Sequence, residues 1–204
     1  MSGPRIAPGT RAEIGRVNYT LARLIGAAGG SGPPNVFTTL ARHKSLFRKW
    51  LRFAGALMPG GLLPRDESEL LILRVAHNCD SEYERSQHVR LGLEAGLTED
   101  EIAAIGGGPG QAGLSPRRRL LLRTADELHT TRTVSQETWN ALAALYSRPE
   151  LIEICMLVGH YEMLAMTLNA LAVEPDAPAP GPPPRAMGIA QRALRRGRTN
   201  ERNR

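Results

Sequence analysis

The apolar positions along this chain recur at helical spacing almost throughout. Thr10 followed by Glu13 has the spacing of a capping box and opens a helix through Val17, Leu21, Leu24 and Ile25, stopped at Gly29-Gly30. From Asn35 to about Met58 the positions Phe37, Leu40, Phe47, Trp50, Leu51 and Leu57 predict two helices jointed near His43 and closed by Pro59-Gly60-Gly61. Asp66 with Glu69 has capping-box spacing ahead of an apolar helix that runs to about Asn78. Its stretch Leu70 to Ala76 is apolar on nearly every face, which predicts burial on all sides. Asp80 or Ser81 caps the next helix, which ends near Gly96, and Thr98 with Glu101 starts a short one. Ser115-Pro116 places a cap before proline at the first helical position, and Ser135 opens another helix. The last helix runs from Pro149 or Glu150 to about Val173. No segment alternates with period two, so the predicted fold class is all-α.

Length, charge and cysteine content narrow the setting. The 204 residues suffice for one domain with a buried core and a tail. The expected division is an N-terminal arm and helix over 1–34, a helical domain over 35–175 and a disordered tail over 176–204. Residues 1–9 read as a loose arm. The tail holds six prolines between Pro175 and Pro184, then seven arginines against Asp176 and Glu201, and so carries +5 of the formal +6. The body is near neutral, and a nucleic-acid partner would rest on the tail alone. Two distant cysteines build neither a disulfide framework nor a thiolate zinc site, and the N-terminus lacks the apolar core of a signal peptide. A reducing, cytoplasmic location is expected. Leu151 to Val173 is interrupted by Glu153, His160, Glu162 and Asn169, which favours a buried helix over a membrane span.

The chemistry concentrates between Glu69 and His88. Glu84 and His88 are four apart on one helix, about 6 Å apart at Cβ, and pair a carboxylate with an imidazole. The plainer role for Glu84 is to close a capping box with Ser81. Tyr83 is a secondary proton donor, and Arg74 and Arg90 are candidate anchors for a substrate carboxylate. Cys79 lies ahead of a helix N-terminus, where the macrodipole lowers a thiol pKa, although an inert buried cysteine fits the position too. His160 in the last helix is a candidate for the same pocket. His77, Glu84 and His88 lie close in sequence without a metal-ligand motif, so neither a metal nor a cofactor is expected.

The series Glu69-Leu-Leu-Ile-Leu-Arg-Val-Ala, Cys79, Glu82-Tyr-Glu-x-x-x-His-Val-Arg-Leu-Gly, Ala95-Gly-Leu-Thr-x-x-Glu-Ile and Leu157-Val-Gly-His-Tyr-Glu-Met resembles the carboxymuconolactone decarboxylase family. That family shares its fold with the alkylhydroperoxidase D-type proteins. The peroxidase branch carries a glutamate, then Cys-x-x-Cys-x-x-x-His. On this chain the glutamate is Glu69, the histidine is His88, and the cysteines fall on Ser81 and Glu84. Without two thiols the dithiol relay cannot run. The resemblance implies a lyase of the decarboxylase kind, working by acid/base chemistry on a small organic acid or lactone. Glu84 and His88 would be catalytic, with Glu69 and Tyr83 in support. It also implies a homo-oligomer, a trimer or larger ring, acting on a small-molecule substrate; from the interrupted apolar segment, no membrane partner is expected. The alternatives are a peroxiredoxin-type thiol peroxidase using Cys79 and a non-catalytic binding protein with a basic tail.

Overall fold

Helix starts follow the caps written in the sequence. In the computed structural model, which describes residues 3–29 and 32–177, the Glu101 amide donates to Thr98 Oγ1 (3.2 Å) and the Thr98 amide donates to Glu101 (3.0 Å). Ser115 and Ser135 accept from the Arg118 and Thr138 amides. Among the described residues there are ten helices and no strand. They are α1 (Arg11–Ile14), α2 (Arg16–Ala28), α3 (Asn35–Leu40), α4 (Lys44–Leu57), α5 (Arg65–Asn78), α6 (Glu82–Ala95), α7 (Glu99–Gly107), α8 (Pro116–Thr131), α9 (Gln136–Ala143) and α10 (Arg148–Leu171). The chain groups into two units whose division falls inside α4: Met1–Ile6 with Lys49–Pro175, and Ala7–Arg48 with the segment from Asp176. The tail expected to be disordered lies, from residue 178 on, outside the described residues.

The larger unit is built around α5. As its composition predicts, the helix is enclosed, packing against α6, α7, α8 and α10, and Leu70 and Leu71 are fully buried. It begins at Arg65 after Pro64. Asp66 therefore sits within the first turn and pairs with Arg118 (3.0 Å) in place of capping. Glu153 of α10 fixes the approach to α5 by accepting from the Leu62 and Leu63 amides (2.5 and 3.0 Å). A buried carboxylate, Glu67, accepts from Arg117 Nε (2.5 Å) and from the Tyr146 hydroxyl (2.9 Å), tying α5 to α8 and to the segment after α9.

The longest helix, α10, has the length and composition to cross a bilayer, but half of its apolar window is buried inside the chain, as in a core helix. Its other face leaves Ile152, Met156, Met163 and Met166 exposed. The start of the chain is not the loose arm its composition predicts. Arg5 donates from its amide to the Leu171 carbonyl (3.0 Å) and from its guanidinium to Ala170 (2.9 Å). The last carbonyls of a helix have no intrahelical donor, and Arg5 supplies two.

The smaller unit corrects one expected element. The helix expected from Thr10 to Gly29 is two, α1 and α2, broken at Gly15 with φ 83°, a conformation open to glycine at little strain. The helical spacing of Ile14, Val17, Leu21 and Leu24 continues through the break and so does not reveal it. Ile14, Val36 and Phe47 are buried here, and Phe37 meets Phe47 edge to face at 6.2 Å. Arg42 bridges Glu13 (3.0 Å) and the Ala7 carbonyl (2.7 Å).

Truncating the centre of α5 tests this core. Leu71→Ala is expected to lower unfolding free energy by about 2–5 kcal/mol in a denaturant titration, through lost transfer energy and the cavity left behind.

Candidate active site

The turn between α5 and α6, with Asp80 at φ 50°, folds the two helices back on each other and brings together residues nineteen positions apart. Glu69, on α5, has no exposed surface, and its Oε2 lies 2.6 Å from His88 Nδ1. Glu84, one turn before His88 on α6, reaches the other ring nitrogen, Nε2, at 3.3 Å. The remaining oxygen of Glu69, Oε1, makes an ion pair with Arg65 Nη2 at 2.5 Å. That contact is not aligned as a hydrogen bond, so it acts as a charge contact. Burial alone would lower the His88 pKa, but the Glu69 and Glu84 carboxylates bracketing the ring raise it to about 9. At neutral pH the ring is an imidazolium that donates to both carboxylates.

Aromatic groups from α10 and α4 stand beside this triad. Tyr161 meets His88 edge to face at 5.1 Å and His160 at 5.3 Å. Burial pushes the Tyr161 phenol well above its ordinary pKa, and the Glu84 and Glu69 carboxylates push it the same way, so it remains a proton-bearing donor. His160 is also buried, stacked at 6.1 Å on Trp50 and meeting Phe53 edge to face at 5.2 Å. Burial lowers its pKa against the opposing pull of Glu84, which keeps the ring neutral, and its Nδ1 has no hydrogen-bond partner among the described residues. The triad is thus an embedded cation between two anions, with one neutral imidazole, His160, alongside.

The capping role for Glu84 is not what the structure contains. Ser81 makes no side-chain cap bond at the start of α6, and its buried Oγ is unpartnered among the described residues, while Glu84 turns to His88. Glu69, not Glu84, makes the short contact that orients the imidazole. Of the residues singled out in the sequence, Glu69, Glu84 and His88 meet, with His160 close by through Tyr161. Tyr83 is buried one position before Glu84, about 100° round the helix from it.

Arg74 does not serve as a free anchor. It holds the chain's own Asp126 through two bonds (2.6 and 3.0 Å) and donates to the Ile105 and Gly106 carbonyls. Arg90 pairs with Glu94 at 2.7 Å on the α6 surface. Cys79 lies ten residues beyond Glu69 on the α5 side, about 15 Å of helix rise away. It is the C-cap of α5, not the activated end of α6. Burial raises its thiol pKa to about 11, with Glu162 and Asp80 adding to the rise and Arg132 opposing it. Its neighbours are His129 and Glu162, and these three form the one group of metal-ligand type found among the described residues. His77 is exposed on α5.

Arg65, Tyr161, Trp50 and His129 were not legible as site residues. Arg65 had a signal, standing one helical turn before Glu69. Tyr161 sits between His160 and Glu162, yet nothing in the sequence tells which of the tyrosines at 83 and 161 faces the imidazole.

Residues 44–127 match the Carboxymuconolactone decarboxylase family. No curated protein matches the chain. Among solved structures, an uncharacterized peroxidase-related protein with an alkylhydroperoxidase AhpD core from Ralstonia eutropha JMP134 superposes with a TM-score of 0.77 at 18% identity, covering 86% of this chain and 94% of that one. A peroxidase-related protein from Silicibacter sp. TM1040 gives 0.76 at 16% identity, covering 89% and 98%. The debrominase Bmp8, as a cysteine-to-alanine variant in complex with 2,3,4-tribromopyrrole, gives 0.71 at 16%, covering 84% and 91%. With the Glu69–His88 contact formed and Ser81 and Glu84 at the cysteine positions, residues 44–127 are similar to the carboxymuconolactone decarboxylase family, on an alkylhydroperoxidase D-like fold without the Cys-x-x-Cys pair.

Proposed function

We propose that the chain is an enzyme of proton transfer acting on a small organic acid or lactone, with decarboxylation as its leading reaction and Glu84 and His88 as the catalytic pair. The observation that carries this reading is the ring of His88, buried with the Glu69 and Glu84 carboxylates on its two nitrogens. Glu69, held by Arg65, fixes Nδ1 and leaves Nε2 as the end that exchanges protons. When a substrate loses carbon dioxide, the electron pair of the broken C–C bond moves onto the adjacent carbonyl as an enolate. A fixed cation at Nε2 stabilises that charge and then protonates the carbon, and Glu84 relays a replacement proton. Tyr161 supplies a neutral O–H, and His160 with Trp50 offers a flat, mostly apolar wall to a small planar molecule. Association into a homo-oligomer belongs to the same reading, and the exposed methionine and isoleucine face of α10 is the surface that supports it.

The thiol-peroxidase alternative on Cys79 has less support. Peroxide reduction needs a thiolate, whereas this thiol sits beside Glu162 with its pKa raised to about 11.

The acid/base reading is tested by following decarboxylation and solvent-deuterium incorporation by NMR over a panel of small enolisable acids and lactones. Glu84→Gln and His88→Gln should each slow the wild-type reaction by about 10²–10⁴-fold. Unchanged turnover in both would reject the assignment.

His88 also sets a pH dependence of stability. Its folded pKa of about 9 lies above the ordinary 6.5, so its contribution is fully present below pH 6.5 and is lost as pH rises through 9. That contribution is on the order of 3 kcal/mol. The wild type should lose unfolding free energy across that window, and His88→Gln should show a flatter profile.

Alkylation reads out the state of Cys79. With chelator present at pH 8, iodoacetamide should label Cys79 on the order of 100-fold more slowly than an unperturbed thiol, followed by peptide mass spectrometry.

A further inference from the structure

Three side chains outside the acid/base triad converge where α5, α8 and α10 come together. Cys79 Sγ lies 4.0 Å from His129 Nδ1, and the same nitrogen lies 2.6 Å from Glu162 Oε1. All three ligand atoms fall within 4.8 Å of one another. The arrangement is not a nucleophile relay, because a relay uses the two different nitrogens of a histidine to join thiol and carboxylate. Here thiol and carboxylate approach one nitrogen, so the three candidate ligand atoms cluster at one place. Three donors around a tetrahedral ion at bond lengths of 2.0–2.3 Å stand roughly 3.3–3.7 Å apart. Reaching that spacing asks for shifts on the order of 1 Å or less, within the reach of side-chain rotation.

The surroundings are built as a second shell. Arg132 Nη1 holds Glu162 Oε2 at 2.8 Å, which leaves Oε1 turned toward His129 and Cys79. Asn169 Nδ2 donates to the Cys79 carbonyl at 2.7 Å and fixes the backbone that carries the thiol. Charge is matched as well. The Cys79 thiolate, the Glu162 carboxylate and the nearby Asp80 would balance a dication together with the guanidinium of Arg132.

We infer that Cys79, His129 and Glu162 form a binding site for a borderline-soft divalent cation of the zinc class, with the fourth coordination position open to water. Sulfur and imidazole donors in this set select against magnesium and calcium, which take oxygen ligands. Binding releases the Cys79 thiol proton and clamps the end of α5 to α8 and α10. The inference stands apart from the acid/base reading, whose residues it does not use.

Metal-free full-length protein is titrated with Zn²⁺ against a chromophoric chelator, and separately with Co²⁺. The expected result is one Zn²⁺ per chain and a thiolate-to-cobalt charge-transfer band. Cys79→Ser and His129→Gln should each weaken Zn²⁺ binding by more than about 100-fold, and Arg132→Gln by about 10-fold. Cys155→Ser should leave both affinity and band unchanged. Absence of a bound equivalent overturns the inference, as does unaltered affinity in His129→Gln or a cobalt band that vanishes in Cys155→Ser. If circular dichroism shows that Cys79→Ser does not fold, the Cys155→Ser protein decides: a retained cobalt band supports the site, and a missing band overturns it.

Discussion

A carboxylate with no exposed surface is stable inside a protein only where positive charge meets it. Glu69 is that carboxylate, and Arg65 and His88 are the charges. Removing one partner from such a buried set costs about 3–5 kcal/mol, because it leaves the other charge stranded. The pairing of α5 with α6 is therefore fixed twice, by apolar contact and by an ion pair that tolerates no slip in register. The imidazolium is a consequence of the same constraint: a cation is needed there for folding before any substrate arrives. Under the proposed acid/base reading, structural and chemical demands coincide in one residue, and a variant at Glu69 will disturb both.

α5 and its C-cap carry four polar side chains, three meeting partners on α8 and one, Glu69, a partner on α6. Glu67 is held by Arg117 and Tyr146, Glu69 by His88, Arg74 by Asp126, and Cys79 stands at the helix end beside His129. Successive residues on a helix point about 100° apart, so neighbours only a few positions distant serve separate clusters. This is why Arg74 and Cys79, near the triad in sequence, take no part in it. It also lets one helix carry a residue of the proposed acid/base site near its start and one of the proposed metal site at its end without the two interfering.

The helical fold was legible because caps and apolar spacing are local signals, and most helix starts follow them. The break at Gly15 escaped because apolar periodicity carries across it, and glycine within a helical pattern is ambiguous until φ is known. At the site, the pairing of Glu84 with His88 followed from a spacing of four. The contact of Glu69 with His88 was accessible only through the family motif, since nineteen residues and a turn separate them. The roles expected for Arg74 and Arg90 failed for a physical reason: an arginine near acidic side chains of its own chain satisfies its charge there first. Tyr161 and His129 come from α10 and α8, and which faces of those helices meet α5 is settled by packing, beyond what local pattern encodes.

The first turn of α6 records a compromise of another kind. Ser81 stands where a helix cap belongs, and Glu84 three residues on has the reach to complete the box, yet the carboxylate faces His88 and the serine oxygen stays unpartnered among the described residues. A missing cap costs about 1 kcal/mol. In evolutionary terms the preference is self-reporting. A lineage with no further use for the proton pair would gain stability by letting the carboxylate swing back or by exchanging it for a glutamine that caps without titrating. Persistence of both the acid and its orientation would mark descendants still under selection for chemistry, whereas a return of the cap would mark those that kept only the scaffold.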